Sequence, residues 1–164
     1  MKNHHMENIL KGLHKEAYHW ARQCCSFDED LAKDVLQQVY LKILEGKAIY
    51  NEKSQLKTWL FSVIRFTASE WKKKDKNFYP FEEEFDAAET DEEVTTASHE
   101  ELIERLPERQ KEVLLLVFYH NLTLEKAAEV MGISIGSVRT HYDRGKSGLK
   151  DLILKKQDYE NARQ

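Results

Sequence analysis

The last strongly patterned segment of the sequence, from Ile135 to about Leu154, carries polar and cationic side chains with the spacing of one helix face. Winding the segment at about 100° per residue separates this face from an apolar side. Arginine can hydrogen-bond to guanine edges or phosphate, a hydroxyl can reach a base or phosphate oxygen, and lysine suits phosphate. The face therefore has the chemistry to contact a DNA major groove. Its candidate residues are Gly136, Ser137, Arg139, Thr140, Asp143, Arg144 and Lys150.

The residues before this face have the layout of a helix-turn-helix. Thr123 would cap a short helix that ends at Gly132, and Ser134 would cap the last helix. Ala128 is small enough for close approach of two helices, Gly132 tolerates a positive φ in the turn, and Val138 points into the core. A plain helical hairpin would share this spacing, but it would not require the cationic face.

A second segment, residues 56–74, interleaves aromatic and basic side chains. Trp59 and Trp71 fall on the stripe that we predict to be buried, where aromatic rings commonly pack. Rings on the opposite face could stack on unstacked bases while lysine and arginine follow the phosphates of a single strand. A protein-binding surface would have a similar composition, so the pattern alone leaves both partners open. The candidates on this face are Phe61, Arg65, Phe66, Lys72 and Lys73.

Helical periodicity accounts for the other apolar positions, and no segment alternates with the period of two that a half-buried strand would show. Asp28 is a potential N-cap and Gly46 a stop signal for the second helix, and Ser54 could cap the third. We therefore predict an all-α fold without a sheet. The predicted helices cover residues 9–25, 31–44, 56–74, 102–106, 107–121, 124–132 and 135–154.

Three glycines, Gly136, Gly145 and Gly148, lie inside the predicted last helix. An interior glycine costs a helix about 1 kcal/mol relative to alanine. We expect this helix to be partly frayed until it meets its binding partner, and slow amide exchange in the free protein would contradict that expectation.

The net charge of −4 conceals an uneven distribution along the chain. Residues 1–80 contain 14 lysines and arginines against 10 acidic residues, and residues 109–164 contain 10 against 7. Residues 81–108 contain 1 against 12, and much of this stretch is rich in threonine and serine without apolar periodicity. Such a composition favours a solvated tether. We therefore predict two small helical domains, residues 1–76 and 100–164, joined by a flexible acidic linker at residues 77–99.

Several classes of protein are disfavoured by the sequence. Cys24 and Cys25 are adjacent rather than spaced as CxxC, so we expect two reduced thiols. The histidines do not form a ligand set such as HExxH, and there is no glycine-rich phosphate loop or nucleophile elbow. We therefore expect no metal, no cofactor and no enzymatic activity. The longest apolar run, residues 113–119, is too short for a membrane span, so we expect a cytoplasmic protein without membrane insertion.

Taken together, these stretches resemble the extracytoplasmic-function sigma factors over about residues 7–155. DVLQQVYLKIL (34–44) is similar to the family's D-x-x-Q-E-x-F stretch, with Gln38 in place of the usual Glu. LKTWLFSVIRFTASEWKKK (56–74) is similar to the A-W-L-F-x-I-A-R-N segment, with Phe66 where the family often has Asn. LPERQKEVLLL, followed by LTLEKAAEVMGISIGSVRTHYDRGKSGL, resembles the region that docks on the polymerase flap and reads the minus-thirty-five element.

The resemblance implies a non-enzymatic protein that brings promoter recognition to core RNA polymerase, with promoter DNA as its other partner and an anti-sigma factor as a further candidate. It implies that the second helix binds the polymerase clamp helices, that the third melts and reads the minus-ten element, and that a flipped base enters the loop before it. The minus-thirty-five contacts fall on Arg139, Thr140, Asp143 and Arg144, which helical winding also selects. The implied polymerase-binding residues are Asp34, Gln37, Gln38 and Tyr40, and the loop candidates are Asn51, Lys53 and Ser54.

Two other functions remain open from the sequence. A free-standing helix-turn-helix regulator would bind an operator as a dimer, but it has no reason to carry Asp34 and Gln37 beside an aromatic and basic helix. An adaptor that mimics a sigma factor and sequesters an anti-sigma factor would keep the fold and lose its promoter contacts. The intact face around Arg139 argues against that adaptor.

Overall fold

A computed structural model of the protein describes residues 2–74 and 99–162, with side chains from residue 4 onward. Within these two ranges the chain forms helices and no strand, which confirms the all-α prediction. The predicted linker lies outside the described residues, except for His99 at the start of the fourth helix. The helices are α1 (Lys2–Cys24), α2 (Glu29–Leu44), α3 (Leu56–Lys74), α4 (His99–Glu104), α5 (Glu108–Leu114, followed by a π-helical turn, Leu115–Tyr119), α6 (Leu124–Met131) and α7 (Ile135–Ala162).

Two of the predicted helix caps are present. Asp28 and Ser134 each accept a hydrogen bond from the backbone N–H three residues later, at 3.1 Å in both cases. Ser54 does not cap α3, because α3 begins at Leu56 and its first hydrogen-bonded carbonyl belongs to Gln55. The start of α3 therefore rests on backbone hydrogen bonds and on the loop that precedes it.

Several helix bounds differ from the predicted ones, including those of α4, which covers His99–Glu104 rather than residues 102–106. The first helix begins at Lys2 rather than Ile9, and the last continues past Leu154 to Ala162. The helix predicted to run unbroken to Asn121 instead widens into the π-helical turn, where the N–H of His120 donates to the carbonyl five residues earlier at 3.1 Å. Such turns depend on packing around one extra residue, which periodicity does not register.

The described residues belong to two compact units, Met1–Lys76 with Glu125–Ile133 and Asn77–Leu124 with Ser134–Gln164. In the first unit α1, α2 and α3 pack pairwise against one another. Their mutual packing leaves the outer faces of α2 and α3 exposed. The core between the three helices includes Trp20, Val35, Val39, Leu60, Phe61 and Ile64.

In the second unit α5 packs along α7 at two glycines. A Cβ on Gly145 would lie 3.3 Å from the Cβ and carbonyl oxygen of Gln110 and from Cδ1 of Leu114. A Cβ on Gly148 would lie 3.1 Å from Cδ2 of Leu106. The two glycines therefore allow a close helix approach, and α7 is continuous through both of them. Fraying of α7 in the free protein stays a prediction.

Cys24 is partly buried and Cys25 is buried, and both are free thiols. Burial raises the pKa of the Cys25 thiol to about 11, an effect that Lys72 partly opposes and Asp28 reinforces. Among the residues that the structure describes, no group of three or more His, Cys, Asp or Glu is placed to hold a metal ion. None of the helices in residues 2–74 and 99–162 is long and apolar enough to cross a membrane.

Candidate nucleic-acid interface

The polar face predicted on the last helix is exposed along α7. We call the seven exposed residues of this side the reading face. On the opposite side of α7, Val138 and Gly145 are buried, so the helix has one packed side and one open side. All seven residues of the reading face are exposed: Gly136, Ser137, Arg139, Thr140, Asp143, Arg144 and Lys150.

Local hydrogen bonds order the first turns of the reading face. The Ser134 hydroxyl lies 3.0 Å from the Ser137 hydroxyl and also caps the helix, so Ser137 is partly engaged at the cap. Thr140 donates its hydroxyl to the Gly136 carbonyl at 3.1 Å, which leaves its oxygen able to accept a further hydrogen bond. The hydroxyls of this face are therefore oriented before any ligand arrives.

Lys146, which lies beside the reading face, is a candidate that helical winding did not select. Its side chain is exposed, and its Nζ lies 4.2 Å from the centroid of the Tyr142 ring. That ring in turn stacks on Phe118 of the π-helical turn, with centroids 5.9 Å apart. The signal in the sequence was the spacing of four residues between an aromatic ring and a cation, which brings the pair together on a helix.

The aromatic and basic face predicted on α3 needs one correction. Phe61 has no exposed surface, and it packs among the buried residues of the first unit. The prediction that Phe61 could stack on a base is therefore wrong. Phe61 lies on the same side of the helix as Leu60, Ile64 and Ala68, which face α1 and α2, whereas Trp59 and Trp71 are only partly buried.

Phe66 is the exposed aromatic residue of the corrected face, with 64% of its surface accessible. The ammonium of Lys42, from the end of α2, lies 5.4 Å from the centroid of the Phe66 ring. The same ammonium donates to the Thr67 hydroxyl at 3.0 Å and forms an ion pair with Glu70. We call the surface of α3 that carries Phe66 with Arg65, Lys72 and Lys73 the Phe66 side of α3. Among the basic candidates, Arg65 and Lys72 are partly buried and Lys73 is exposed.

The loop between α2 and α3 has a defined shape. The side-chain carbonyl of Asn51 accepts from the backbone N–H of Lys53 at 3.1 Å, and both residues are exposed. The hydroxyl of Tyr50 donates to the carbonyl of Ser54, which is partly buried. The Tyr50 ring also contacts the Trp59 ring of α3, with centroids 5.3 Å apart. The loop candidates are therefore presented by a loop that is tied to α3.

The outer side of α2 combines hydrogen-bonding groups with an apolar groove. Asp34 and Gln37 are exposed, and Gln38 and Tyr40 are partly buried. A groove of about 540 Å³ lies between α1 and α2. Leu44, at one end of it, has 71% of its surface exposed. The groove is lined by His14, Tyr18, Lys33, Leu36, Gln37, Tyr40, Leu41 and Leu44.

Tyr40 is held across this groove by α1. Its hydroxyl lies 2.8 Å from Nδ1 of His14, and the two rings stack with centroids 5.9 Å apart. Burial raises the pKa of the Tyr40 phenol above its ordinary value, so the group remains a neutral hydrogen-bonding phenol near neutral pH. The structure thus brings Gln37 and Tyr40 together at the groove, with Asp34 exposed on the same helix.

Two family matches and several curated relatives cover most of the chain. The Sigma-70 region 2 family matches residues 9–78, and the Sigma-70, region 4 family matches residues 99–149. RNA polymerase sigma factor YlaC of Bacillus subtilis (strain 168) is 27% identical over 167 residues, covering 94% of this chain and 90% of the relative. ECF RNA polymerase sigma factor EcfG of Rhodopseudomonas palustris (strain TIE-1) is 25% identical over 134 residues, covering 78% of this chain and 74% of the relative.

Two solved structures share the fold. The sigma factor RpoE, in a complex with the anti-sigma factor NepR from Bartonella quintana, superposes with a TM-score of 0.70 at 20% identity. That comparison covers 91% of this chain and 96% of the other. CnrH, in a complex with the cytosolic domain of CnrY, gives a TM-score of 0.64 at 16% identity, with 90% and 86% covered. At these identities the likeness establishes the fold.

Proposed function

We propose that the chain, which belongs to the sigma-70 family in its extracytoplasmic-function group, directs core RNA polymerase to promoters through three of its surfaces. The observation that carries the proposal is that three chemically different surfaces are exposed in one chain. They are the reading face of α7, the Phe66 side of α3 with its preceding loop, and the outer side of α2.

The reading face is assigned to duplex DNA at the minus-thirty-five element. Arg139 and Arg144 supply planar donors that match guanine edges or phosphate, and Lys150 supplies a point charge for the backbone. All three are exposed. Thr140 can accept a hydrogen bond, and Asp143 can accept one from a cytosine amino group. Gly136 and Ser137 are small and allow the start of α7 to lie close to the major groove of the DNA.

The Phe66 side of α3 is assigned to the melted minus-ten element. An exposed ring among Arg65, Lys72 and Lys73 combines a stacking platform with cations for the backbone of a single strand. The loop residues Asn51, Lys53 and Ser54 precede this helix and are assigned to an unstacked base. Phe61 has no part in this surface, because it is buried.

The outer side of α2 is assigned to the polymerase. A stable protein interface needs apolar anchors in a groove, surrounded by hydrogen-bonding groups. The groove between α1 and α2 offers Leu41 and Leu44 as exposed apolar residues, and Asp34, Gln37 and Tyr40 offer polar groups on the same helix. Gln38, which is partly buried, is assigned to the same surface. An anti-sigma factor that competes with polymerase would cover the same groove.

We further propose a functional role for each part of the chain and a cytoplasmic location for the protein. Residues 1–76 act as the polymerase-binding and minus-ten module, and residues 100–164 act as the minus-thirty-five module, with residues 77–99 as the acidic linker. The protein is not an enzyme and needs no cofactor, because its role is to position polymerase on DNA. It works in the cytoplasm, where core polymerase and promoter DNA are found.

The experiment that tests the proposal is co-purification with sigma-free core RNA polymerase, followed by transcription from genomic DNA. Asp34→Ala with Gln37→Ala should abolish stable binding to core polymerase. Arg139→Ala with Arg144→Ala is the matched control: it should keep core binding and lose the discrete start sites that the wild type produces. A single small helix-turn-helix buries too little surface for tight DNA binding on its own, so the free protein should bind promoter DNA weakly. A wild-type protein that does not bind core polymerase and binds an operator tightly as a dimer would contradict the proposal.

A further inference from the structure

We propose that Lys42 is a positioning residue, which fixes the ring of Phe66 so that one unpaired promoter base can stack on it. The inference rests on the assignment of the Phe66 side of α3 to the melted minus-ten element. It goes beyond that assignment because Lys42 belongs to α2, outside the segment that would contact DNA.

Lys42 has three neighbours on α3. Its side chain is only 16% exposed, and its ammonium donates to Thr67, pairs with Glu70 and lies 5.4 Å from the Phe66 centroid. Thr67 is itself buried, and it donates its hydroxyl to the Val63 carbonyl at 2.8 Å. The Thr67 oxygen is therefore a fixed acceptor. The ammonium is held by a hydroxyl that is fixed to the α3 backbone and by the partly exposed carboxylate of Glu70.

This arrangement constrains a ring that would otherwise be free to turn. An exposed aromatic side chain has several rotamers, and ordering it on binding costs conformational entropy. A cation within about 6 Å of a ring centroid is attracted to the ring and favours the rotamer that keeps them together. Because most of the Phe66 ring remains exposed, it stays available to a base while Lys42 restrains it. The ring is thus preorganised for stacking.

A role for Lys42 as a phosphate contact fits the structure less well. An ammonium has three N–H donors, and two of these are directed to Thr67 and Glu70. The negative charge of Glu70 also cancels much of the positive charge of Lys42 that would attract a phosphate. The exposed Lys73 needs no such partner to reach the backbone of DNA. Lys42 therefore acts through the ring.

The test measures how fast the protein, assembled with core polymerase, opens a duplex promoter found by the transcription experiment above. Permanganate reactivity of unpaired thymines reports the opening. The variant Lys42→Met with Glu70→Gln removes the ammonium together with its counter-charge, so the net charge is unchanged. We expect it to open the promoter about twofold to fivefold more slowly, the range of one cation–π contact at an exposed site. Lys42→Arg keeps a cation over the ring and should restore most of the rate.

A matched control uses the exposed pair that follows α2. Nζ of Lys47 lies 2.9 Å from Oε2 of Glu45, and more than half of the lysine side chain is exposed. Lys47→Met with Glu45→Gln therefore removes the same two charges and leaves the Phe66 ring unchanged. This control should open the promoter at the wild-type rate. A thermal unfolding profile checks that both double variants are folded.

Removing single bases separates positioning from a merely structural role. Abasic sites are introduced one at a time along the non-template strand of the minus-ten element. At the base that stacks on Phe66, the wild type and the Lys42→Met/Glu70→Gln variant should open the promoter equally fast, because the contact is gone in both. A difference that persists at every abasic position would assign Lys42 a structural role and overturn the inference.

Phe66→Ala distinguishes failure of this inference from failure of the assignment on which it rests. If Phe66→Ala slows opening and the Lys42→Met/Glu70→Gln variant does not, the positioning role is wrong and the surface assignment stands. If neither variant slows opening, the assignment of the Phe66 side of α3 to the minus-ten element is wrong as well.

Discussion

The rings of Trp20 and Phe61 lie nearly parallel, with centroids 5.7 Å apart, and the indole N–H donates to the Phe61 carbonyl at 3.0 Å. One pair of residues therefore joins α1 to α3 by both packing and a buried hydrogen bond. Truncating this contact should destabilise the first unit, because a buried phenylalanine replaced by alanine leaves a cavity that costs about 3 to 5 kcal/mol. We expect Phe61→Ala to lower the free energy of unfolding by that amount in urea denaturation.

Phe66→Ala is the natural control for this change, since it removes the same ring from an exposed position on the same helix. Its free energy of unfolding should fall by less than about 1 kcal/mol, in keeping with surface substitutions. Equal losses for the two variants would mean that Phe61 is not a core residue.

Substitutions on the reading face should distinguish a residue that reads a base from a residue that contacts phosphate. Arg139→Ala should lose about 1 to 3 kcal/mol of discrimination at one base pair of the minus-thirty-five element, because a bidentate contact specifies that pair. Lys150→Met should weaken binding to all sequences alike and reduce the slope of log K against log salt by about 1. Both are measured with the protein assembled on core polymerase. Equal salt slopes for Lys150→Met and the wild type would remove Lys150 from the interface.

The glycines of α7 should respond differently to alanine. Gly145→Ala places a methyl against the backbone oxygen of Gln110, which cannot move aside, so we expect the free energy of unfolding to fall by about 1 kcal/mol. In Gly148→Ala the new methyl meets the end of the Leu106 side chain, which can rotate away. The gain in helix propensity should therefore raise the free energy of unfolding by up to about 1 kcal/mol. Thermal unfolding of the two variants and the wild type measures whether one substitution lowers the free energy of unfolding while the other raises it.

The buried thiol of Cys25 should be slow to react. Its pKa of about 11 in the folded protein exceeds the ordinary value of 9.0, so near pH 8 the thiolate is about 100-fold scarcer than in a free thiol. We expect a correspondingly slow reaction with a disulfide reagent in the Cys24→Ser variant, which leaves Cys25 as the reporter. Reaction at the rate of the urea-unfolded protein would contradict the burial of Cys25.

The same pKa shift has a consequence for stability. Because folding favours the neutral thiol, the contribution of Cys25 is fully present below about pH 9 and is lost as the pH rises from 9.0 toward about 11. The difference in unfolding free energy between the wild type and Cys25→Ala should therefore shrink over that interval.

Periodicity and capping residues were sufficient to predict the helices and the side of α7 that faces away from the core. They failed for Phe61 because the stripe predicted to be buried on α3 included Trp59, Leu60 and Trp71 but left Phe61 on the opposite face. The Phe61 ring is buried against Trp20, which belongs to another helix, so the periodicity of α3 alone does not locate it.

Contacts between helices explain the other differences. Lys42 and Phe66 lie on different helices, so no local pattern predicts that their side chains meet. Helix propensity marks Gly145 and Gly148 as weak points of the last helix, and only the structure shows that both also lie at close approaches, to Gln110 and to Leu106. The π-helical turn, which carries Phe118, likewise depends on packing rather than on sequence period.

The loop between α2 and α3 is built before DNA arrives, because Tyr50 ties its carboxyl end to α3 through Ser54 and Trp59. A receptor with a fixed shape cannot rearrange around a poorly fitting base, so each mismatch carries its full free-energy penalty. A loop of this kind discriminates mainly by rejection. We therefore expect the protein to serve a narrow group of promoters, whose members share the base that this loop receives.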